Sequence, residues 1–200
     1  MERHGGPTID ALGHIGRDGL LYGGVNAAQA TNDREGIGRS GVGAELAIDH
    51  YPVSLLSNRT VLLDVARFIN GDETPLGAGF DVTASHLKMT AKSQGVKIKK
   101  GDTVFIRTGW GQYFSDNPQL YIADNAAGVG VSGTQFLIKA GASVVGNDTL
   151  TFEKRPPIDT DPSFQVFPVH MMLLADNGIY IIENLFLEEL AKEKMRLATS

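Results

Sequence analysis

The N-terminal stretch of the chain reads His4-Gly-Gly-Pro-Thr-Ile-Asp10-Ala-Leu-Gly-His14. Glycine and proline are both unfavourable inside an amphipathic helix, so we expect an irregular turn here. Such a turn lets short polar side chains converge, and neutral imidazole and carboxylate are both ligands for first-row metal ions. A histidine near a chain terminus is also commonly a solvated residue. The stretch on its own therefore leaves a metal site and an ordinary surface segment equally open.

The composition of the whole chain limits the classes of function that are possible. With 200 residues, of which 42% are hydrophobic and 20% charged, the chain can bury a sizeable core, and we expect a single domain over residues 1–200. The net charge of −5 argues against nucleic-acid binding, which normally needs a basic surface. The sequence has no apolar run of membrane-spanning length and no signal-peptide pattern at its start. We therefore expect a cytoplasmic protein.

The lack of cysteine restricts the chemistry further. Without this residue type the chain cannot form disulfides, thiolate zinc sites or a cysteine nucleophile. Any bound metal must therefore be held by histidine and carboxylate groups. Of the five histidines, His50 and His86 fit surface positions, whereas His170 lies in a strongly structured segment that is followed by the isolated Glu183.

Apolar runs alternate with amphipathic segments along the rest of the chain. Strands are predicted over residues 60–66, 103–108, 142–146 and 179–182. Helices are predicted over residues 83–94, 132–140, 168–178 and 185–197, with Thr83 and Asn184 as N-caps. The alternation predicts an α/β domain, in which ligands bind at the carboxyl ends of strands and at helix N-termini. His170 and Glu183 lie at such positions, so this geometry could bring them together with His4, Asp10 and His14.

Two glycine motifs formally match the GxGxxG pattern of dinucleotide-binding sites. The first, residues 36–41, does not follow a buried strand and so lacks the context that the pattern requires. The second, residues 128–133, precedes a predicted helix, and Asp148 falls near the spacing of the acidic residue that binds the ribose in such sites. A nucleotide-binding oxidoreductase therefore stays open as an alternative.

Several of these segments together resemble the cyclase/arylformamidase family, which includes bacterial kynurenine formamidases and isatin hydrolases. The family signature is His-x-Gly-Thr-His-x-Asp-x-Pro-x-His, and residues 4–14 follow it except at Pro7, Thr8 and Leu12. The resemblance continues through residues 19–24, 108–111, 146–148, 169–170 and 181–185, and is closest to the longer members. It implies one α/β domain with a mixed central β-sheet and flanking helices, of the swivelling β/β/α type.

The resemblance also implies a site for one or two divalent metal ions, Zn²⁺ or Mn²⁺. His4 resembles a ligand of the first ion and His170 a ligand of the second, while Asp10 and Glu183 resemble carboxylates that bridge them. His14 resembles the catalytic acid/base. The implied reaction is the hydrolysis of a small aryl formamide, cyclic amide or lactone by a metal-activated water.

Thr8 is the most consequential departure from the signature, because the family has a histidine there. Loss of one imidazole should weaken the first metal position most, so we expect a metal stoichiometry closer to one than two per chain. A degenerate family member that binds a small molecule or a partner without turnover is the alternative. Trp110, which lies between glycines after a predicted strand, and Tyr22 are candidates for stacking on an aromatic substrate, although a core role for Trp110 is equally consistent with the sequence.

The number of residues before the signature leads to a further expectation about assembly. The family has tens of residues before the signature, whereas this chain begins three residues before it. We therefore expect an N-terminally short domain in which one wall of the pocket is minimal. A sheet that lacks a covering element exposes apolar surface and an unpaired edge. The expected remedy is a homo-oligomer, at least a dimer, with residues 15–50 contributing to the interface.

Overall fold

Strands and helices alternate through most of the part of the chain that the computed structural model describes, which is residues 6–32, 46, 50–55, 57–156 and 167–199. The strands are β1 (Thr8–Asp10), β2 (Thr60–Asp64), β3 (Asp81–Val82), β4 (Thr103–Arg107), β5 (Gly128–Val129), β6 (Val144–Asn147) and β7 (Tyr180–Glu183). The α-helices are α1 (Ala27–Asn32), α2 (Val65–Asn70), α3 (Ala84–Ser93), α4 (Tyr113–Asp116), α5 (Pro118–Tyr121), α6 (Val131–Ala140), α7 (Pro168–His170) and α8 (Glu188–Thr199). Short 3₁₀ helices lie at Tyr22–Gly24, Val53–Leu55 and Trp110–Gln112, and a π-helix at Met171–Ala175.

A mixed sheet with the strand order β1-β7-β6-β4-β2 forms the centre of the fold. Strands β2, β4, β6 and β7 are parallel to one another, and β1 at the edge is antiparallel to β7. Strands β3 and β5 form a separate parallel pair. Leu63, Ile106, Val145 and Ile181 are completely buried in the large sheet, as expected for parallel strands covered on both faces. The prediction of an α/β domain with a mixed central sheet and flanking helices is confirmed.

Helices cover both faces of this sheet. The main core contains Leu87 of α3 and Leu137 of α6 together with Leu63 of β2. Since side chains alternate along a strand, the neighbouring Leu62 points to the other face. There it packs with Leu187 and with Ala191 of α8 in a second, smaller cluster. None of the helices in the described ranges is long and apolar enough to cross a membrane.

A buried charge cluster fastens α8 to the sheet. Arg107 at the end of β4 is buried and donates from Nη1 to Asp64 at 2.9 Å. It also donates from Nε and Nη2 to the two carboxylate oxygens of Glu188, at 2.9 and 2.7 Å. Glu188 is the first residue of α8 and is itself buried. Charges taken out of water are tolerable only when paired and hydrogen-bonded in this way.

The structure corrects two predictions about the first half of the chain. Residues 8–10 are not an irregular turn but form β1, because β7 offers them a pairing edge. The strand predicted over residues 60–66 ends at Asp64. The Asp64 side chain accepts a hydrogen bond from the backbone N–H of Arg67 and thereby caps α2, so the apolar run continues as a helix.

The last helix begins three residues later than the sequence predicts. Asn184 does not cap it; this residue has a φ of 57°, in the left-handed region that asparagine tolerates better than most residues. The backbone N–H groups of Asn184 and Leu185 bond to the carbonyls of Thr149 and Asn147, at 2.9 and 3.0 Å. These long-range bonds hold the segment after β7 against the sheet until α8 starts at Glu188.

In the second glycine motif, residues 128–133, the glycines allow close packing against neighbouring backbone and side chains. A Cβ on Gly130 would collide with the Asp81 carboxylate, and one on Gly133 would collide with the Val82 carbonyl. Asp148 is completely buried, where its carboxylate accepts hydrogen bonds from the neighbouring turn after β4. The backbone N–H groups of residues 128–130 donate to the carbonyls of Phe80, Phe152 and Val82. They are therefore not available to a phosphate, which counts against the nucleotide interpretation of the second motif. The first motif, residues 36–41, lies outside the described residues.

Candidate metal centre

Asp10, His170 and Glu183 come together at the end of the sheet where β7 finishes. Asp10 ends β1, and Glu183 ends β7 directly opposite Thr8 in the antiparallel ladder. Opposite residues of such a ladder and alternate residues of one strand share a face, so both carboxylates lie on the same side of the sheet. His170 closes the short helix α7, and a π-helix begins at the next residue. Helices of this type are rare and often occur at functional sites.

The geometry of these three side chains fits a divalent metal ion. Their ligand-type atoms all lie within 4.8 Å of one another. His170 Nε2 is 3.6 Å from Asp10 Oδ2 and 3.1 Å from Glu183 Oε1. Atoms that bind one ion at about 2.0–2.2 Å lie roughly 3–4 Å apart, which matches these separations. Asp10 Oδ2 is buried and has no hydrogen-bond partner among the described residues, a costly arrangement that a bound cation would relieve.

The His170 ring is held by Glu153. Glu153 is buried, and its Oε2 lies 2.7 Å from His170 Nδ1 and accepts a hydrogen bond from the His170 backbone N–H at 3.1 Å. Metal-binding histidines commonly donate their second ring nitrogen to a carboxylate, which fixes the orientation of the ring. The contact leaves Nε2 facing Asp10 and Glu183. Sequence reasoning missed Glu153, because it lies in a loop where neither a strand end nor a helix terminus singles it out.

The local charges favour a cation. Burial raises the pKa of Asp10, and the nearby Glu183 carboxylate raises it further. Burial alone would lower the pKa of His170, but its hydrogen bonds to Glu153 and Glu183 outweigh that effect and raise the pKa to about 9. Three carboxyl groups thus surround a single imidazole at a site that is largely shielded from water. Such an excess of negative groups is electrostatically suited to a divalent ion.

His14 lies beside this cluster rather than within it. The residue follows β1 in a tight turn, in which its backbone N–H donates to the Ala11 carbonyl at 2.9 Å. His14 Nε2 is 3.9 Å from Asp10 Oδ1, and the centres of the His14 and His170 rings are 6.4 Å apart. The His14 side chain is 55% exposed, in contrast to the three buried candidate ligands. An exposed imidazole next to a buried cluster can exchange protons with water and with a bound molecule.

Two further positions of the signature, 4 and 8, bear on the proposed metal site. His4 lies outside the described residues, so its role as a metal ligand stays a prediction. Thr8 is opposite Glu183 in the ladder and therefore faces the same side of the sheet as the candidate ligands. Its Oγ1 accepts a long hydrogen bond of 3.5 Å from the Asn184 side chain.

The two aromatic residues singled out in the sequence have different surroundings in the structure. Trp110 is 1% exposed, and its Nε1 donates to the Leu76 carbonyl at 3.0 Å, so the ring is part of the core. Tyr22 packs beside Gly178, which precedes β7, whereas Glu183 ends that strand. Five residues of extended chain span roughly 15 Å, so Tyr22 lies well away from Glu183. Trp110 thus has the core position that the sequence left open, and a contact of either ring with a substrate stays a prediction.

Comparison with known proteins relates the chain to one family. The family model named Cyclase matches residues 1–154. A search of curated protein sequences gave no significant match. Among solved structures, one described as a novel cyclase superposes with a TM-score of 0.77 and is 28% identical in sequence. The match covers 94% of this chain and 57% of that one.

Two other solved structures share the fold at lower identity. Isatin hydrolase A from Ralstonia solanacearum has a TM-score of 0.61 and is 16% identical over 91% of this chain and 59% of its own. A protein described as a potential metal-dependent hydrolase with cyclase activity has a TM-score of 0.58 and is 19% identical over 95% of this chain and 66% of its own. This chain thus spans less than two thirds of the length of each of these proteins.

Proposed function

Because the chain belongs to the cyclase family, we propose that it is a metal-dependent hydrolase that cleaves a small amide, formamide or lactone. The observation that supports this most directly is the convergence of Asp10, His170 and Glu183 on one buried point, with His14 at its edge. These three residues would hold a divalent ion, Zn²⁺ or Mn²⁺. His4 is a further proposed ligand on the strength of the signature.

Each side chain has a distinct task in this proposal. Asp10, His170 and Glu183 would hold a divalent ion, which when bound would supply an activated water and a positive charge to polarise a substrate carbonyl. His14 takes a proton from the attacking water and returns it to the leaving nitrogen or oxygen, as a general base and then a general acid. The Asp10 carboxylate lies 3.9 Å from His14 Nε2, so His14 stands next to the proposed metal position. Glu153 keeps the His170 ring in place.

The proposal is tested by removing and restoring metal. Purified protein is assayed with isatin, formanilide and γ-butyrolactone before and after exhaustive dialysis against EDTA. We expect at least one of these compounds to be hydrolysed, the activity to disappear with the metal, and Zn²⁺ or Mn²⁺ to restore it. Hydrolysis that continues at full rate in metal-free protein would contradict a metal-dependent mechanism.

Replacing Glu153 with glutamine should weaken metal binding about 10–100-fold. The amide keeps the size of the side chain but removes its negative charge. That charge orients the His170 ring and makes Nε2 a stronger ligand for the metal. Metal affinity is measured by competition with a chromophoric chelator. Glu73→Gln is the matched control, because Glu73 is a surface carboxylate whose side chain pairs with Arg67. Equal affinities for all three proteins would remove Glu153 from the site.

Thr8→His should strengthen metal binding. It places an imidazole opposite Glu183, on the face that carries the candidate ligands. Imidazole is a far better ligand than a hydroxyl for a borderline ion such as Zn²⁺. Titration of the metal-free protein measures both affinity and stoichiometry. If neither changes, the side chain at position 8 does not reach the metal.

The same residue motivates a second candidate function. A family member without the signature histidine at position 8 could retain one metal ion and bind a small molecule without turning it over. This alternative and the hydrolase proposal differ in one outcome: metal bound to the purified protein with no hydrolysis of any substrate class would favour the binding protein. The homo-oligomeric state, the small-molecule substrate and the cytoplasmic location remain predictions.

A further inference from the structure

Asn184, the residue directly after the candidate ligand Glu183, has a backbone conformation that side chains other than hydrogen rarely adopt. Its φ is 57°, and among the residues that the structure describes only Asp18 is a second non-glycine residue in the left-handed region. Asparagine tolerates this region better than most residues, but the conformation still has a cost that surrounding contacts must offset. One such contact comes from the Asn184 backbone N–H, which donates to the Thr149 carbonyl at 2.9 Å. The chain therefore leaves β7 at a fixed point immediately after Glu183.

The Asn184 side chain connects a helix to the edge strand of the sheet. Its Oδ1 accepts a hydrogen bond from the Tyr121 hydroxyl at 2.7 Å, and its Nδ2 donates to Thr8 Oγ1 at 3.5 Å. Tyr121 closes α5, and Thr8 opens β1. The first bond is short and the second is long, so Tyr121 contributes more than Thr8 to the orientation of the amide. One amide group thus bridges α5 and β1 beside the end of β7.

Tyr121 is a permanent donor to this amide. The residue is buried, and its ring meets Phe114 edge-on with the ring centres 5.3 Å apart. Burial raises the pKa of the Tyr121 phenol, and the negative charges of Asp148 and Glu183 raise it further. The hydroxyl therefore keeps its proton near neutral pH and holds the amide oxygen of Asn184. The NH₂ group of the same amide is then left to face β1.

The bridge joins the two strands that carry the candidate carboxylate ligands. Thr8 lies two residues before Asp10 in β1 and pairs with Glu183 at the end of the antiparallel ladder. The Glu183 carboxylate is held separately, since its Oε1 accepts a hydrogen bond from the Phe152 backbone N–H at 2.8 Å. The ends of secondary-structure elements open more readily than their centres. The Asn184 amide therefore restricts the separation of β1 and β7 where the ladder is weakest.

We infer that Asn184 is a positioning residue for the candidate metal centre. Tyr121 orients its amide, and the amide acts through Thr8 on the spacing between β1 and β7. The inference rests on the proposed function only in taking Asp10 and Glu183 as metal ligands. Ligands must be held within about 0.5 Å of their productive positions by supporting contacts. In this role Asn184 is not itself a ligand, so its loss weakens and distorts the site without abolishing it.

The test is a double-mutant cycle on Zn²⁺ affinity, measured by competition with a chromophoric chelator. Glycine accepts the left-handed φ, so Asn184→Gly removes the amide and keeps the backbone conformation. We expect Tyr121→Phe and Asn184→Gly each to weaken Zn²⁺ binding, the latter about tenfold. Because Tyr121 acts through Asn184, adding Tyr121→Phe to Asn184→Gly should change the affinity no further. Tyr113→Phe is the matched control, because Tyr113 lies in α4 with its ring edge-on to Trp110 and should keep the wild-type affinity.

A second measurement reports the geometry of the site. The visible absorption spectrum of bound Co²⁺ depends on the arrangement of its ligands, so it should change in Asn184→Gly and not in Tyr113→Phe. Should Asn184→Gly not fold, Thr8→Val takes its place in the cycle, because it removes the acceptor at the other end of the bridge. Wild-type affinity in the folded variants, or losses that simply add in the double variant, would overturn the inference. None of these readings requires hydrolysis, so an inactive protein would contradict the proposed function and leave the inference intact.

Discussion

Replacing His14 with alanine is expected to lower the rate of hydrolysis about 10²–10⁴-fold while the protein keeps its metal. The reason is the position of the side chain. His14 Nε2 is 3.9 Å from one Asp10 oxygen, and the ring is mostly exposed, whereas the candidate ligands are buried. Removing it deletes a proton carrier and leaves Asp10, His170 and Glu183 in place. The measurement is kcat for the best substrate of the panel, together with metal content.

His50→Ala is the control for this experiment, because His50 is an exposed histidine outside the cluster. It should retain wild-type activity. Two outcomes would count against the role given to His14. Loss of metal from His14→Ala would make the residue a ligand, and unchanged turnover would remove it from the mechanism.

Replacing Glu188 with alanine is expected to lower the free energy of unfolding by about 3–5 kcal/mol. Glu188 accepts two hydrogen bonds from the buried Arg107 guanidinium, at 2.9 and 2.7 Å. Without it, Arg107 keeps only the Asp64 carboxylate and a backbone carbonyl as acceptors among the described residues. The methyl group of alanine cannot replace the lost charge, and α8 loses its polar attachment to the sheet. Urea denaturation followed by circular dichroism measures the change.

The neighbouring Glu189 provides a matched control for the stability measurement. Its carboxylate lies at the surface and pairs with Lys192 at 3.0 Å, one turn along the same helix. Surface ion pairs of this kind contribute little, so Glu189→Ala should unfold close to the wild-type midpoint. If Glu188→Ala and Glu189→Ala are equally stable, the buried contact with Arg107 does not stabilise the fold.

The principal residues of the candidate site were predictable from the sequence, for physical reasons. Glu183 ends an otherwise apolar strand, and His170 follows Pro168 at the start of a helical segment, so both lie where α/β folds bind ligands. The resemblance of residues 4–14 to a family signature added Asp10 and His14. The structure brings Asp10, His170 and Glu183 to within 4.8 Å of one another, as expected.

Features that depend on contacts between distant parts of the chain could not be predicted from the sequence. Glu153 contacts His170 across a loop, and nothing in its neighbours distinguishes it from a solvated acid. From the sequence, Trp110 between two glycines could line a pocket or belong to the core. Its hydrogen bond to the Leu76 carbonyl, which places it in the core, is visible only in the structure. Likewise, the delayed start of α8 depends on backbone bonds from Asn184 and Leu185 to another part of the chain.

Asp10, His170 and Glu183 are proposed to hold a divalent metal ion. The most direct test of this proposal is elemental analysis of the wild type and of His170→Ala, each saturated with Zn²⁺ or Mn²⁺ and then dialysed. We expect a stoichiometry closer to one than two ions per wild-type chain, and little or none in the variant, because His170 Nε2 faces both carboxylates. A wild-type protein that retains no metal, or a folded His170→Ala that retains as much as the wild type, would contradict it.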